Sequence, residues 1–570
     1  MNIEKPIRKF IDPDLKIETW KSIEVYFSEL LSRELGSKEE FYKWLKDCSE
    51  LEAIIEEDAA WRYIKMTINT KDEKLSDSYS YFVTVIQPEL APLEDKLNRK
   101  LDSCVYTKEL EEDPAFFILF RKIKKALSLY RKENIPLISE IAEENKEYSS
   151  IAAEQTINHK GETLTMQQAV VLLKQTNEQL REEIFHKISD RRREDFNALN
   201  NLFNNLLQKR HKIAINTGFK NFRDYKMEDI GRFDYSVADC IDFHQSVKTV
   251  IVPLVRKIQS KRLKKLGKSK FKPWDLEVDP EGKMPLKPFE SVAELLHGTI
   301  QIMSDIDPYF GDCIATMHKM NHLDLESKEG KSPGGYNYPL YEIGVPFIFM
   351  NAAGSHRDLV TMVHEGGHAV HSFLSRDLEL TGFKNLPSEV AELASMTMEL
   401  LSMEKWNVFY PNSDDFNRAK KEQLETILKI LPWIAQVDEF QHWLYENFEH
   451  NAKERTAKWV QLCEEYGTGL TDWSGNEDIL ETSWQRQLHI FEVPFYYIEY
   501  GIAQLGALGI WKNSLDNKSK AIDNYKAALK LAYTRSIPEI YKTAGVPFDF
   551  SIAHIKDLAC FIENELNKLQ

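Results

Sequence analysis

The chain has 570 residues, of which 42% are hydrophobic, and it carries a formal net charge of −16. This composition is typical of a large globular protein, and the acidic balance argues against nucleic acid as a partner, which usually requires a basic surface. No apolar run approaches 20 residues, so we expect no membrane span, and the first residues lack the apolar core of a signal peptide. The six cysteines are scattered without a CxxC pair, which predicts reduced thiols and a cytoplasmic location.

Helical periodicity dominates the chain, and the first two hundred residues are charged and amphipathic. Residues 180–210 and 419–450 are each predicted to form a long helix, the second interrupted near Pro432. Strand-like stretches are few and cluster around residues 335–350: a turn-rich loop at 331–336 (KSPGGY) precedes a short apolar run at 346–351 (PFIFMN). The sequence therefore predicts a mainly α fold with one small sheet.

The motif His364-Glu365-Gly366-Gly367-His368 follows these strands. Residues four apart lie on one face of a helix, so the two histidines can hold one Zn²⁺ while Glu365 stands beside the metal as a general base. The alternative is a helix with two partly exposed histidines and no metal. His371 is a further histidine on this segment, and we interpret it as structural because such sites take two histidines from the motif.

A helix fits the motif. Ser355 and Asp358 form a capping box that predicts where the helix begins. Gly366 and Gly367 each cost about 1 kcal/mol against alanine, which indicates that either a neighbouring backbone or a substrate approaches closely. An apolar stripe at helical spacing is expected to face the core: Leu359, Met362, Val363, Val370 and Phe373.

A second helix is predicted from about residue 386, with Asn385 as its cap and Pro387 in its first turn. Glu389, Glu392 and Glu399 share one face of this helix with Ser395. The surrounding residues are apolar, so some of these carboxylates should be buried, and a cation is the simplest partner for a buried carboxylate. Spacing alone leaves the choice of third ligand between Glu389 and Glu392.

Residues 489–500 form an aromatic segment that contains His489, Tyr497 and Tyr500. Tyrosine and histidine can donate hydrogen bonds to the oxyanion formed when water attacks a peptide carbonyl, and each such donor lowers the barrier by about 3 kcal/mol. Tyr497 and Tyr500 are three residues apart and would share a helical face. The alternative is an aromatic stripe buried in a core.

Together these segments resemble the thimet oligopeptidase and oligoendopeptidase F family of zinc metallopeptidases, and the oligoendopeptidase F branch most of all. The resemblance is clearest between residues 225 and 508. It implies that Glu392, 24 positions beyond His368 in the string Ala391–Ser395, completes the zinc site. It also matches Glu399 to a family glutamate that could hydrogen-bond a ligating histidine.

The resemblance further implies that His489, Tyr497 and Tyr500 steady the oxyanion, with Tyr500 as the main donor. Pro494 departs from the family pattern, which leaves open which tyrosine has which role. The substrate is expected to contact the glycine-rich loop and the strand, and to lie extended along a free edge of residues 346–351 by β-augmentation, unless this is an ordinary buried strand. The substrate-binding residues so predicted are Gly334, Gly335, Tyr336, Phe349 and Asn351.

By the same resemblance, the fold is an elongated multi-helix body divided by a deep substrate channel, with the small sheet next to the HExxH helix. Residues 1–200 would form an N-terminal helical wall or lid, and residues 201–570 the catalytic region. The expected function is zinc-dependent cleavage of internal bonds in short, unstructured oligopeptides, with one Zn²⁺ per chain and no nucleic-acid or membrane partner. The sequence does not distinguish a monomer from a homodimer.

Two other functions are compatible with the motif. A zinc carboxypeptidase of HExxH type would need basic side chains at a closed end of the cleft to hold the terminal carboxylate. A catalytically idle peptide-binding protein would have no use for Glu365, so the intact motif argues against it.

Overall fold

The computed structural model describes residue 1 and residues 3–569. Its packing separates into two compact units, each assembled from three stretches of chain. Unit 1 comprises the residues up to Ser128, Leu286–Ala419 and Ala503–Phe548. Unit 2 comprises Leu129–Pro285, Lys420–Ile502 and the chain from Asp549 onward. The predicted functional division near residue 200 stays a prediction.

Unit 1 consists mainly of helices that begin where the sequence supplies a cap, as at Ser37, whose side chain accepts a hydrogen bond from the Glu40 backbone amide. Two further helices, Ser413–Glu446 and Ile498–Asp516, run from one unit into the other. The helices of unit 1 are Lys21–Ser32, Lys38–Ile68, Glu73–Tyr81, Gln87–Ser103, Thr107–Leu110, Pro114–Leu129, Val292–Ile306, Pro308–Lys319, His356–Ser375, Thr381–Lys384, Ser388–Met403, Lys518–Leu531 and Ile537–Thr543.

Unit 2 is likewise helical. Its helices are Ile135–Glu154, Met166–Leu172, Glu178–Glu194, Phe196–Thr217, Phe222–Asp229, Val237–Ser246, Val252–Lys265, Ala452–Tyr466, Glu477–Thr482, Leu488–Glu492 and Ile552–Lys568. Short 3₁₀ or π turns lie at Phe82–Ile86, Lys132–Asn134, Val247–Ile251, Pro273–Asp275, Trp406–Val408 and Ser483–Arg486.

Two of the predicted long helices differ from the structure. The single helix expected over residues 180–210 is divided at Asp195, which has φ −91° and ψ 0° and ends one helix before the next begins. The interruption expected near Pro432 is wrong, because Ser413–Glu446 is continuous through it. The helix buries Leu428, Leu431 and Ile434 around the proline, so packing outweighs the missing amide.

The strands form two small sheets. In unit 2, β1 (Thr156–His159) and β2 (Glu162–Thr165) pair as an antiparallel hairpin. In unit 1, β3 (Leu323–Glu326), β4 (Tyr336–Tyr338) and β5 (Phe347–Ala352) form a sheet in the order β3-β5-β4. β5 runs parallel to β3 and antiparallel to β4, with Phe349 opposite Tyr336.

The expectation of a free edge at residues 346–351 is therefore wrong. This run forms β5, which lies in the middle of the sheet and is paired on both sides, as its almost continuous burial also indicates. β4 is the outer strand on one side. The short segment Tyr336–Tyr338 takes the edge position because it folds back antiparallel onto β5.

The helices of unit 1 bury a core built largely from the first 130 residues, including Phe27, Trp44, Ile86 and Phe120. A smaller cluster beneath the sheet joins Ala60 and Ile64 of helix Lys38–Ile68 to Phe347 and Phe349 of β5. The prediction of a mainly α chain with a small sheet beside the HExxH segment is confirmed. None of the six cysteines forms a disulfide, and no helix in residues 3–569 has the length and apolar character needed to cross a bilayer.

Candidate active site and metal centre

The HExxH segment lies on helix His356–Ser375, which we call the motif helix. The predicted capping box is present: the Ser355 hydroxyl accepts from the Asp358 amide, and the Asp358 carboxylate accepts from the Ser355 amide. The predicted apolar stripe is buried, with each member at most 2% exposed. Local signals therefore fix both the start of this helix and the face that it turns to the core.

Helix Ser388–Met403, which we call the glutamate helix, packs against the motif helix within unit 1. Asn385 does not cap it, because the helix begins at Ser388 with Pro387 in the cap position and Asn385 lies in extended backbone ahead of it. Tyr525 donates a hydrogen bond to the Ala394 carbonyl at 2.7 Å. Helix Lys518–Leu531, which carries Tyr525, therefore also contacts the glutamate helix.

Gly366 and Gly367 have different surroundings. A Cβ atom at Gly367 would lie 2.6 Å from Ser395 Cα and 2.7 Å from the Ala394 carbonyl oxygen, both backbone atoms of the glutamate helix. At Gly366 the nearest atom would be the Met303 sulfur at 3.0 Å, at the end of a flexible side chain. Gly367 is therefore the residue that lets the two helices approach.

This close approach brings His364, His368 and Glu392 together, with one potential ligand atom from each lying within 4.8 Å of the others. The Glu392 Oε2 atom lies 3.4 Å from His364 Nε2 and 4.0 Å from His368 Nε2. Glu389, the rival third ligand, is buried but does not belong to this group.

The three side chains fit a zinc ion. A tetrahedral site with bonds of about 2.1 Å separates its ligand atoms by about 3.4 Å. Glu392 Oε2 lies 3.4 Å from His364 Nε2, which equals this value, and 4.0 Å from His368 Nε2, which is somewhat longer. The His364–Glu392 contact is an ion pair without a direct hydrogen bond, and the separation of its nitrogen and oxygen is one that two ligands of the same ion would have. Two imidazoles and one carboxylate are also a known catalytic zinc ligand set.

Further groups orient these ligands. The Glu399 Oε1 atom lies 2.6 Å from His364 Nδ1, which turns Nε2 toward Glu392. Ser395 donates a hydrogen bond to Glu392 Oε2 at 3.0 Å, and His368 interacts with the Ala391 backbone carbonyl. The family resemblance predicted the contact of Glu399 with a ligating histidine, whereas Ser395 was placed on the same helix face without a predicted role.

The electrostatics of the site favour a cation. Burial raises the pKa of Glu365 to about 7, and the charges of Glu392 and Glu399 add to the shift. Burial also raises the pKa of Glu392 and takes that of His368 well below its usual value. Burial opposes protonation of His364, but its hydrogen bond to Glu399 and the nearby carboxylates raise its pKa to about 9. Glu365 and Glu392 are buried and Glu399 is partly buried, and a divalent cation would balance the charge of these three carboxyl groups.

His371 is fully enclosed on the motif helix at 1% exposure, and burial lowers its pKa to about 3. It does not belong to the group of His364, His368 and Glu392. A neutral imidazole in the core of unit 1 is what the structural interpretation of this residue predicts.

The sheet lies beside the motif helix. In β4, the Asn337 side chain donates a hydrogen bond to the Glu365 backbone carbonyl at 3.1 Å, a contact that the sequence did not indicate. Tyr336 stacks on Phe349 with ring centroids 4.8 Å apart. Phe349 is fully buried, so the prediction that its side chain contacts a substrate is not supported.

Asn351 supports the glycine-rich loop. Its side-chain amide donates hydrogen bonds to the carbonyls of Ser332 and Gly334, both at 2.8 Å. The loop and the outer strand β4 therefore form one surface next to the motif helix. Gly334, Gly335 and Tyr336 all lie on it.

His489, Tyr497 and Tyr500 belong to unit 2 and lie together there. The His489 ring centroid is 4.7 Å from that of Tyr497 and 6.1 Å from that of Tyr500. Tyr497 lies in the turn that precedes helix Ile498–Asp516, rather than on the helix as expected. Tyr496 was not among the residues predicted from the sequence. Its ring centroid lies 5.9 Å from that of His489, on which it stacks, and 5.3 Å from that of Tyr500.

Burial lowers the pKa of His489 to about 4, so the ring is neutral near pH 7. The Gln487 side-chain nitrogen lies 2.6 Å from His489 Nδ1, and Gln487 also accepts from Trp433 Nε1 at 3.0 Å. Burial raises the pKa of Tyr497, which keeps its hydroxyl protonated and able to donate. His489 and Tyr497 are thus neutral hydrogen-bond donors.

Buried hydrogen bonds stabilise the turn that precedes these tyrosines. Phe495 has φ +69°, a left-handed conformation that is uncommon for a bulky residue, and it is fully buried. Arg232 donates to the Phe495 carbonyl and to Glu499 Oε1, the latter at 3.0 Å, and Gln441 accepts from the Phe495 amide at 2.8 Å. These buried contacts compensate for the strained turn after Pro494.

The sequence profile of Peptidase family M3 matches residues 171–559, and that of the Peptidase M3 N-terminal domain matches residues 10–130. The chain is similar to an oligoendopeptidase F homolog of Borreliella burgdorferi, with 25% identity over 374 residues, which are 64% of this chain and 61% of that protein. It is 26% identical over 258 residues to the oligopeptidase PepF of Bacillus subtilis, covering 44% of this chain and 37% of that protein. These alignments therefore span less than two thirds of either relative.

The fold extends the likeness over nearly the whole chain. The solved structure of PZ peptidase A with inhibitor 2 superposes with a TM-score of 0.89 at 26% identity, covering 98% of this chain and 99% of that one. The predicted resemblance to oligoendopeptidase F proteins is confirmed.

Proposed function

The chain belongs to Peptidase family M3, and on this premise we propose that it is a zinc-dependent endopeptidase acting on short, unstructured oligopeptides. The single observation that supports this most is the convergence of His364, His368 and Glu392 beside the buried Glu365. The family agrees with the class of enzyme that the HExxH motif predicts.

We propose that His364 and His368, through Nε2, and Glu392 hold one Zn²⁺ per chain. The ion would supply Lewis acidity and lower the pKa of water toward about 7. Glu399 and Ser395 would keep His364 and Glu392 in place, since each contacts one of these two side chains. The buried carboxyl groups around the site support a divalent cation there.

Glu365 would act as the general base. Its carboxylate accepts a proton from the water that attacks the scissile carbonyl, and it later delivers that proton to the nitrogen of the leaving peptide as the C–N bond breaks. Burial and the hydrogen bond from Asn337 to its backbone hold this residue beside the outer strand β4.

His489, Tyr497 and Tyr500 are proposed, from the family resemblance, to donate hydrogen bonds to the oxyanion. The neutral state of His489 and Tyr497 near pH 7 suits this role, because an uncharged donor stabilises an oxyanion without first forming a strong ion pair with the substrate. Tyr500→Phe would then lower kcat by about 100-fold or more, with a smaller change in KM.

The substrate would lie extended beside β4 rather than β5. β4 is an outer strand, and its Asn337 bonds directly to the motif helix, so a peptide paired with this edge would cross next to Glu365. Gly334, Gly335 and Tyr336 would border it. This placement replaces the edge that was expected at residues 346–351.

The decisive experiment follows cleavage of an internally quenched peptide with both termini blocked. We expect wild-type turnover to be lost with a chelator and restored by Zn²⁺, and Glu365→Gln to lower kcat by about 10²–10⁴-fold while retaining metal. Wild-type turnover by Glu365→Gln would contradict the general-base role. Cleavage only of peptides with a free C-terminal carboxylate would instead identify a carboxypeptidase.

Metal analysis of two variants tests the third ligand. Glu392→Ala should bind one zinc ion per chain fewer than the wild type, whereas Glu389→Ala, on the same helix and also buried, should keep the wild-type zinc content. The reverse result would place the ligand at Glu389. The cytoplasmic location and the choice between monomer and homodimer stay predictions.

A further inference from the structure

Unit 2 contains a second group of metal-ligating side chains. Ligand atoms of Cys240, Asp438 and His442 lie within 4.8 Å of one another, and all three residues are buried. Cys240 is on helix Val237–Ser246, and the other two are on helix Ser413–Glu446. The mechanism proposed above uses none of them.

The two helices present their ligands in a regular way. Asp438 and His442 are four residues apart and share one face of their helix, while Cys240 shares a face with His244 four residues on. His244 Nε2 lies 2.8 Å from Asp438 Oδ2 and is 1% exposed. A hydrogen bond of this kind orients a carboxylate toward a metal in the way known for other sites.

Several buried polar atoms in this group lack a hydrogen-bond partner among the described residues. Asp438 is fully buried, yet its Oδ1 has none, and neither ring nitrogen of His442 has one. His442 Nε2 lies 3.2 Å from Asp438 Oδ2, a contact at ion-pair distance. A similar separation, 3.4 Å, divides His364 Nε2 from Glu392 Oε2 in the candidate catalytic site.

Charge balance also favours a cation. A carboxylate with no exposure to solvent is costly unless an opposite charge or several hydrogen bonds compensate it. One thiolate, one carboxylate, one neutral imidazole and a divalent ion sum to zero net charge. Sulfur together with nitrogen selects zinc or a similar transition metal rather than Mg²⁺ or Ca²⁺.

We propose that Cys240, Asp438 and His442 form a second, structural metal site for Zn²⁺, with His244 as the residue that positions Asp438. The site ties helix Val237–Ser246 to helix Ser413–Glu446 inside unit 2. Its ligands are enclosed in the core, so it offers no exposed position for a peptide and is distinct from the candidate catalytic centre.

The test uses the full-length protein, stripped of metal and reloaded with Co²⁺ alone. We expect two Co²⁺ per chain and a near-ultraviolet sulfur-to-cobalt charge-transfer band. The ligands of the candidate catalytic site are nitrogen and oxygen, so this band reports only on a thiolate. Cys240→Ser should abolish the band and halve the cobalt content, whereas Cys313→Ser, at an equally buried cysteine of unit 1, should change neither.

Glu392→Ala separates this proposal from the proposed function. It should remove one Co²⁺ and keep the charge-transfer band, whereas unchanged cobalt content would count against the catalytic ligand set alone. One Co²⁺ per chain without the band in the wild-type protein, or a band that survives Cys240→Ser, would overturn the second site. Either result would mean that Asp438 only forms hydrogen bonds with histidine and binds no metal.

A measurement on the wild-type protein covers the case in which Cys240→Ser fails to fold. X-ray absorption at the zinc edge should show a sulfur ligand at about 2.3 Å, with half a sulfur per zinc when two ions are bound. A zinc environment made only of nitrogen and oxygen would refute the site without any substitution.

Discussion

Replacing Gly367 with alanine should damage the metal centre although it favours the helix. The added Cβ would lie 2.6 Å from Ser395 Cα, about 0.8 Å short of the 3.4 Å at which ordinary contact begins. The obstructing atoms belong to backbone and cannot rotate away. The glutamate helix must therefore move, and Glu392 moves with it.

The magnitude follows from opposing terms. Alanine gains about 1 kcal/mol in helix propensity, whereas overpacking a well-filled contact costs about 1–3 kcal/mol. The free energy of unfolding should thus fall by no more than about 2 kcal/mol. A shift of about 0.8 Å, however, exceeds the roughly 0.2 Å tolerance of a metal–ligand bond. We expect zinc affinity to fall at least about tenfold and kcat by about 100-fold.

Gly366→Ala is the matched control. It brings the same gain in propensity on the adjacent residue, but the closest atoms to its Cβ belong to the flexible end of Met303, at 3.0 Å, and Ile314 lies at an ordinary contact distance of 3.7 Å. It should bind zinc and cleave peptide nearly as the wild type does. Zinc affinity is measured by competition with a chromophoric chelator, stability by urea unfolding of the metal-free protein, and kcat with the quenched peptide.

Equal zinc affinity and turnover in Gly367→Ala and wild type would refute the reasoning. It would mean that the separation of the two helices does not set the position of Glu392. A large loss of stability in both alanine variants would instead show that the glycines serve packing in general.

Glu399→Ala should weaken zinc binding by about 10–100-fold, because His364 loses the acceptor that holds its ring 2.6 Å away; unchanged affinity in a chelator competition would contradict this. His371 has a pKa lowered to about 3, against about 6.5 when unfolded, so its contribution to stability is complete above pH 6.5 and is lost as the pH falls toward 3. In the wild type, this residue should make the free energy of unfolding fall between pH 7 and pH 5. In His371→Leu that fall should be smaller by about 2 kcal/mol, measured with chelator present. The same dependence on pH in both proteins would count against this assignment. Arg232→Met should cost about 3–5 kcal/mol because Glu499 loses its buried ion pair with Arg232, and adding Glu499→Leu should recover much of the loss in urea unfolding.

The parts of the site that the sequence predicts are local. The capping box at Ser355, the buried stripe and the one-face placement of His364 and His368 all depend on spacing within a single helix. Glu392 required the family resemblance, because the spacing of Glu389 and Glu392 on one helix does not say which of them faces a different helix. The structure separates them through the close packing at Gly367.

The remaining features depend on contacts between distant segments. The sequence of β5 indicates a short apolar strand, but its position in the middle of the sheet depends on its pairing with β3 and β4. Pro432 reads as a helix break, yet the packing of its neighbours keeps the helix intact. Cys240 and Asp438 are almost two hundred residues apart, so their proximity cannot be inferred from spacing, although each lies four residues before a histidine.

The three-part construction of unit 1 has a consequence for synthesis on the ribosome. The stretch Ala503–Phe548 completes the packing around the glutamate helix. Its Tyr525 donates a hydrogen bond to the Ala394 carbonyl, and its Tyr541 donates one to the Glu389 carbonyl. The first 128 residues are synthesised some 420 residues before the last stretch of their unit, an interval of roughly 20–80 s at about 5–20 residues per second. During that interval apolar helix faces stay uncovered, so the nascent chain is a natural client for chaperones, and a truncation before residue 503 should yield aggregates rather than a smaller enzyme.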